Sequence, residues 1–267
     1  MEITHEGTEV LSQLSDYFNV YSDDHRMARA IKEKFNIKDV HVIPGDSDSN
    51  QTVKREIGRQ AGQLLESILY EDAIVSVTGG STMAYVSESI HLLPFNVFFV
   101  PARGGLGENM VYQANTISSS MAQQAGGYYT TLYVPDNVSE STYDTLMLEP
   151  SVIHTLDKIK QANVTIHGIG DALKMAHRRQ SPKEVIDKLQ HHQAVGEAFG
   201  YYFDAQGNVV HKVKTIGLQL EDLESKDFIF AVAGGQSKGE AIKAYLSIAP
   251  DNTVLITDET AAKVILQ

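Results

Sequence analysis

The 267-residue chain has no cysteine and no tryptophan, and it holds only 7 prolines. Without cysteine there is no disulfide, no thiolate nucleophile and no thiolate metal site, which fits a reducing compartment. Basic residues are also short: 22 Lys and Arg stand against 34 Asp and Glu, a formal net charge of -12. Such a surface repels nucleic acid and anionic lipid as a whole, so any anion site must be a local basic patch. Apolar runs are strand-length rather than membrane-length, and the acidic start MEITHEGTE lacks a signal peptide's basic and apolar regions. The expectation is a cytoplasmic protein without membrane contact. The 42% hydrophobic content is enough for one large core.

The sequence alternates between strand and helix patterns. Strands are predicted at 39–45, 73–78, 96–101, 128–134, 164–167, 228–233 and 253–257, and helices at 81–91, 109–125, 139–148, 151–161, 238–247 and after Asp258. Apolar strands separated by helices predict an α/β fold, a mostly parallel, Rossmann-like sheet with helices on both faces. Val53, Ile57, Ala61, Leu64, Leu65 and Ile68 recur at helical spacing behind a Ser49 or Asn50 cap. Ser181-Pro182-Lys183-Glu184 reads as Ser N-cap, Pro at the first helical position and Glu closing a capping box. Residues 199–213 alternate and turn at Gln206-Gly207-Asn208, predicting a β-hairpin flap, with TIGLQL (215–220) as a continuing strand. Near the start, a strand-like piece in 2–12 leads to a helix through Leu11, Leu14 and Phe18, and a second helix places Met27, Ile31 and Phe35 on one face.

Two stretches share one plan, a strand, paired glycines, a polar cap and a helix: AIVSVTGGSTMA (73–84) and FIFAVAGGQSKGEA (228–241). Glycines allow close backbone approach, and the free N–H groups and positive end of a following helix suit an anion. Gly79, Gly80, Ser81 and Thr82 form the first candidate cradle; Gln236, Ser237 and Lys238 form the second. Lys238 is unfavourable in a first turn unless an anion is present, the ordinary alternative being a solvated lysine paired with Glu240. Neither GxxxxGK[ST] nor GxGxxG occurs, which argues against a nucleotide P-loop or dinucleotide site. PARGGLGEN (101–109) sets Arg103 among Gly104, Gly105 and Gly107, a guanidinium fork with backbone N–H groups that the glycines let approach a ligand; a surface salt bridge to Glu108 is the alternative. Gln113 and Asn115 are candidates for sugar hydroxyls or exposed helix positions. Glu197 suits a hydroxyl contact or a base, while Asp171 and Asp258 suit catalysis or, more commonly, helix capping. Arg178-Arg179 read as a helix C-terminal pair, and His191-His192 as a solvated helix end. The ten histidines show no metal-ligand spacing, so no metal or other cofactor is assigned.

VTGGSTM, FVPARGGLGE, QANT, HGIGDA, EAFGYYFD, GNVVHKV and AVAGGQSKGEAI, in this order, resemble the effector-binding part of the SorC family of bacterial transcriptional regulators. The resemblance covers nearly the whole chain. It implies a sheet similar to those of the sugar-phosphate isomerase, deaminase and CoA-transferase superfamily, a regulator rather than an enzyme, and a phosphosugar ligand, with fructose 1,6-bisphosphate expected. It implies one phosphate at Gly80, Ser81 and Thr82, and the sugar and other phosphate at Arg103, the Gly104–Leu106 backbone and Lys238. Gln113 and Glu197 match sugar-contacting positions and Arg178 a further phosphate position. It also implies a homodimer or homotetramer, residues 1–24 as the remnant of a winged-helix wing and linker, residues 25–267 as the effector domain, and operator DNA contacted only through a missing N-terminal domain. A phosphosugar isomerase or deaminase using the same loops is the alternative.

Overall fold

The computed structural model describes residue 4 and residues 23–105, 109–136 and 138–267. The strand-like piece in 2–12, the helix through Leu11, Leu14 and Phe18, Leu106 and the Glu108 partner considered for Arg103 lie outside the described residues. Helix α1 (Asp23–Phe35) buries Ile31 and packs Met27 and Phe35 against the core. It leads to β1 (Asp39–Ile43), α2 (Gln51–Ile68), β2 (Ala73–Val77), α3 (Ser81–Glu88) and β3 (Val97–Pro101). A 3-10 turn (Met110–Tyr112), α4 (Ala114–Ala125), β4 (Tyr128–Tyr129), α5 (Glu140–Leu146), α6 (Pro150–Gln161) and β5 (Val164–His167) follow. Asn50 caps α2, its side chain accepting from Thr52 N.

The large sheet has order β1-β11-β10-β5-β2-β3-β4, where β10 is Phe228–Val232 and β11 is Thr253–Asp258, with α9 (Gly239–Leu246) between them. Every pairing in it is parallel. Its central strands are buried on both sides, the reason they read as unbroken apolar runs. One core holds Val75, Val77, Met83, Phe99, Ile166 and Val232 under α2, α3 and α4. The other holds Val100, Ile229, Ala231, Tyr245 and Leu255. The chain order reverses between β2 and β5: β2 continues to β3 on one side, and β5 lies next to β10 on the other. Loops leaving the carboxyl ends of these neighbours therefore diverge and open a crevice.

A second, antiparallel sheet of order β6-β7-β8-β9 contains Gly170–Asp171, Gly196–Ala198, Tyr201–Phe203 and Val209–Lys212. The expected hairpin is its β8-β9 half, turning through Asp204 to Asn208. It is more than a flap, because β6 and β7 join it to the end of β5. Helices α7 (Ala172–Arg178) and α8 (Lys183–His191) pack a small cluster on it around Ala176, Leu189 and Tyr202.

Several sequence boundaries move. Residues 109–125 are a 3-10 turn and a helix split at Gln113, which is extended (φ -78, ψ 146). Strand 128–134 shortens to Tyr128–Tyr129. TIGLQL forms no strand; Gly217 makes one isolated bridge to Arg103. At the 181–184 signature the N-cap is Pro182, one residue later than expected, and no side chain caps the helix. Among the described residues, no helix is long and apolar enough to cross a membrane.

Candidate functional site

A cavity with about 820 Å³ of empty space, mouth included, fills the crevice at the carboxyl ends of β2, β3, β5 and β10. Residues 78–83 form one wall after β2, and Arg103 and Gly104 come from the loop after β3. Tyr112, Gln113 and Ala114 lie at the break before α4. Gly168, Ile169 and Gly170 follow β5, Met175 and Arg178 come from α7, and Glu197 and Phe199 from the antiparallel sheet. Val232 and Lys238 complete it.

The β2 loop is held from both sides. Gly168 N donates to Thr78 Oγ1 at 3.2 Å and Gly80 N to the Tyr112 carbonyl at 2.9 Å. A Cβ on Gly79 would lie 2.4 Å from the Tyr112 carbonyl oxygen, and Gly80 sits at φ +133. Only glycine fits that pair. Gly80 is the N-cap of α3 and offers no capping side chain. The first turn of α3 begins with Ala84 N donating to Gly80 O, so the Ser81, Thr82 and Met83 N–H groups open the helix without an intrahelical acceptor. All three residues line the cavity.

The second cradle differs. Gly235 N donates to Asp258 Oδ2 at 2.6 Å, Ser237 N to Asp48 Oδ2 at 2.7 Å and Ser237 Oγ to Asp48 Oδ1 at 3.0 Å. The protein's own carboxylates occupy the place an anion would take, and Gln236 and Ser237 do not line the cavity. Lys238 does. Among the described residues its ammonium has no hydrogen bond or ion pair, so the pair considered with Glu240 does not form. Burial, and next the charge of Lys54, bring its pKa from 10.5 down to about 8.

Arg103 is buried in a network of paired charges. Its Nε donates to Asp136 Oδ1 at 2.6 Å and its Nη1 to Glu197 Oε1 at 3.4 Å, and Nη2 contacts Asp136. Arg179 closes the ring: Nε to Asp136 Oδ2 at 3.0 Å, Nη2 to Glu197 Oε1 at 2.8 Å and Nη1 to the Tyr202 hydroxyl at 2.7 Å. Gly200 N also donates to Glu197 Oε1 at 2.6 Å. Burial would raise the Glu197 pKa, but Arg179 and then Arg103 hold it below the usual carboxylate value. Two guanidinium and two carboxylate groups cancel, so this wall presents polarity without net charge.

The structure thus brings Gly79, Gly80, Ser81, Thr82, Arg103, Gly104, Gln113, Arg178, Glu197 and Lys238 to one cavity, and leaves Gly105, Gln236 and Ser237 outside its lining. Asn115 is not a cavity residue; its side chain accepts from Leu132 N and donates to Leu132 O. Asp171 caps α7 through Lys174 N, and Asp258 caps α10 (Glu259–Leu266) through Ala261 N. His191 and His192 end α8 in solvent. Among the described residues there is no group of His, Asp and Glu able to hold a metal. Arg179, which reads in the sequence only as half of a helix C-terminal pair, is a member of this network, and no local signal marks Asp136 or Tyr202 as its partners. The Gly168-Ile169-Gly170 turn at a strand end was the available signal for the β5 side.

The family model for sugar-binding domains, Sugar-bind, matches residues 20–267. Central glycolytic genes regulators from Priestia megaterium and Bacillus subtilis are each 46% identical to the chain, over 98% and 100% of it and 78% and 79% of their own lengths. The chain is a sugar-binding domain of the SorC family. A SorC family transcriptional regulator from Enterococcus faecalis superposes with a TM-score of 0.86 at 42% identity, covering 91% of this chain and all of that one. The full-length sorbitol operon regulator SorC from Klebsiella pneumoniae, at 19% identity, shares the fold with a TM-score of 0.84 over 92% of this chain and 82% of its own. These relatives are transcriptional regulators, and in this chain the cavity lies at the switch point of the parallel sheet.

Proposed function

We propose that the cavity binds a phosphorylated sugar, with fructose 1,6-bisphosphate as the expected ligand, and that the chain is the effector domain of a repressor of glycolytic genes. The observation that carries this reading is that the opening N–H groups of α3 and the Lys238 ammonium, neither with a hydrogen-bond partner among the described residues, line one cavity. Hydroxyls, backbone N–H groups and one half-buried cation make a phosphate site. In this reading Ser81, Thr82 and Lys238 hold one phosphate, and Arg178 at the mouth takes the second. Arg103, Glu197, Gln113 and the Gly104 backbone read sugar hydroxyls. The 46% identity to regulators named for glycolytic genes supports the choice of a glycolytic intermediate. Ligand binding would shift an equilibrium between arrangements of an oligomer and so change operator binding by a winged-helix domain.

The carboxylates that an isomerase or deaminase would use are engaged. Glu197 is tied to two arginines and a backbone N–H, and Asp171 to the α7 cap. This favours the sensor over the enzyme.

Thermal melting tests the proposal. Fructose 1,6-bisphosphate at about a hundred times its Kd should add about 2.7 kcal/mol, a rise of roughly 5 to 10 °C for a chain of this size. Shifts with unphosphorylated sugars and none with any phosphosugar would overturn it. Turnover of aldose or ketose phosphates that disappears in Glu197→Gln would restore the enzyme reading.

A further inference from the structure

Lys54 stands in the opening turn of α2, where the positive helix end disfavours a cation. Asn50 already caps that helix, so the lysine is not needed there. Its ammonium instead crosses to α3 and donates to Ser81 Oγ at 2.7 Å. No ion pair with a carboxylate holds it among the described residues. A hydroxyl that accepts from an ammonium keeps its own proton for another acceptor. Ser81 is the first residue of α3 and lines the cavity, so that acceptor belongs to whatever occupies it.

The charges at this corner do not balance. Lys54 and Lys238 repel one another, with Lys174 adding to the repulsion; Asp48 and Asp171 oppose it. Asp48 is already engaged by the Ser237 N–H and hydroxyl, and Asp171 by the Lys174 N–H. The N–H groups that open α3, without an acceptor among the described residues, add more positive potential. An anion between the two ammonium groups relieves the repulsion, and a dianion does so more than a monoanion.

We propose that Lys54 is a positioning and charge-selecting residue of the phosphate anchor. It holds the Ser81 hydroxyl as a donor toward the cavity and supplies the second positive charge that favours a phosphate monoester dianion over a monoanion. The inference rests on the phosphosugar reading and adds a residue from outside the cavity lining to it.

The test is calorimetric titration of the full chain with fructose 1,6-bisphosphate and with glucose 6-phosphate, at pH 7.5 and 5.5, using wild type, Lys54→Met, Lys54→Arg and Ser81→Ala. At pH 7.5 Lys54→Met is expected to weaken both probes by about ten-fold or more, the loss of a charge-assisted contact. At pH 5.5, below the phosphate's second pKa of about 6, the loss should shrink. Lys54→Arg should recover most of the affinity. Ser81→Ala, which leaves the lysine in place, should weaken binding less than Lys54→Met does. Wild-type binding with unchanged affinity in Lys54→Met, or an equal loss at both pH values, overturns the inference and leaves the phosphosugar reading standing. A wild type that binds neither probe overturns both.

Discussion

Lys238 lines a cavity where, among the described residues, no carboxylate forms an ion pair with it, and its chemistry is set by that setting. Its pKa, lowered from 10.5 to about 8 by burial first and Lys54 second, makes the folded state a weaker proton binder than the unfolded chain. Between pH 8 and 10.5 the unfolded state holds more protons, so this group makes stability rise with pH; below 8 the cost of its charge is fully present. Replacing it with methionine should therefore leave the unliganded melting point at pH 7 unchanged or higher, and flatten that rise. Phosphosugar affinity should climb as the phosphate becomes a dianion near pH 6 and fall above pH 8 as Lys238 loses its proton. A flat profile above pH 8 would remove Lys238 from the phosphate site.

The adjacent arginines show how far neighbours can part. Arg178 ends α7 on the exposed rim of the cavity, whereas the Arg179 side chain is 0% exposed and bridges Asp136 and Glu197. Removing Arg179 leaves two buried carboxylates facing one guanidinium, and Arg179→Ala should cost about 3 to 5 kcal/mol in urea unfolding. Arg178→Ala should change unliganded stability by no more than about 0.5 kcal/mol while lowering affinity for a bisphosphate more than for a monophosphate. Because the Glu197 pKa is depressed, its contribution is present above the ordinary value of 4.5 and is lost as pH falls through its folded value.

At the scale of the element, the two Gly-Gly turns diverge although their local sequences match. Among the described residues the first keeps its opening helix N–H groups without an acceptor; the second receives Asp258 and Asp48. Asp48 lies 189 residues from Ser237, so no local pattern announces the contact. A methyl group at Gly79 would collide with the Tyr112 carbonyl and push away the 3-10 turn that carries the cavity's far wall. Gly79→Ala is expected to cost about 1 to 3 kcal/mol and to abolish the melting shift given by fructose 1,6-bisphosphate. A full shift in that variant would show that the turn tolerates displacement.

At the scale of the whole molecule, the cavity joins two sheets. Its walls come from the large parallel sheet through the loops after β2, β3, β5 and β10, and from the antiparallel sheet through Glu197 and Phe199. A ligand touching both should tighten their junction. Hydrogen exchange at Gly168–Asp171 and Gly196–Tyr202 is expected to slow on adding fructose 1,6-bisphosphate, together with the opening of α3. Slowing confined to α3 would mean that the small sheet does not take part in the response.

The sequence by itself determined the architecture: apolar strands alternating with amphipathic helices can bury both faces only as a parallel sheet, and 79–82 and 103 fall at its strand ends. Glycine before a helix and arginine among glycines are local signals, so they survive without coordinates. Tertiary structure alone decided which charges stay available. It paired Arg103 with Asp136 and Glu197, filled the second Gly-Gly turn with Asp48, and left Lys54 and Lys238 facing the first. Electrostatic pairing depends on distance in space: Arg103 meets Asp136 across 33 residues and Glu197 across 94, and Asp48 meets Ser237 across 189.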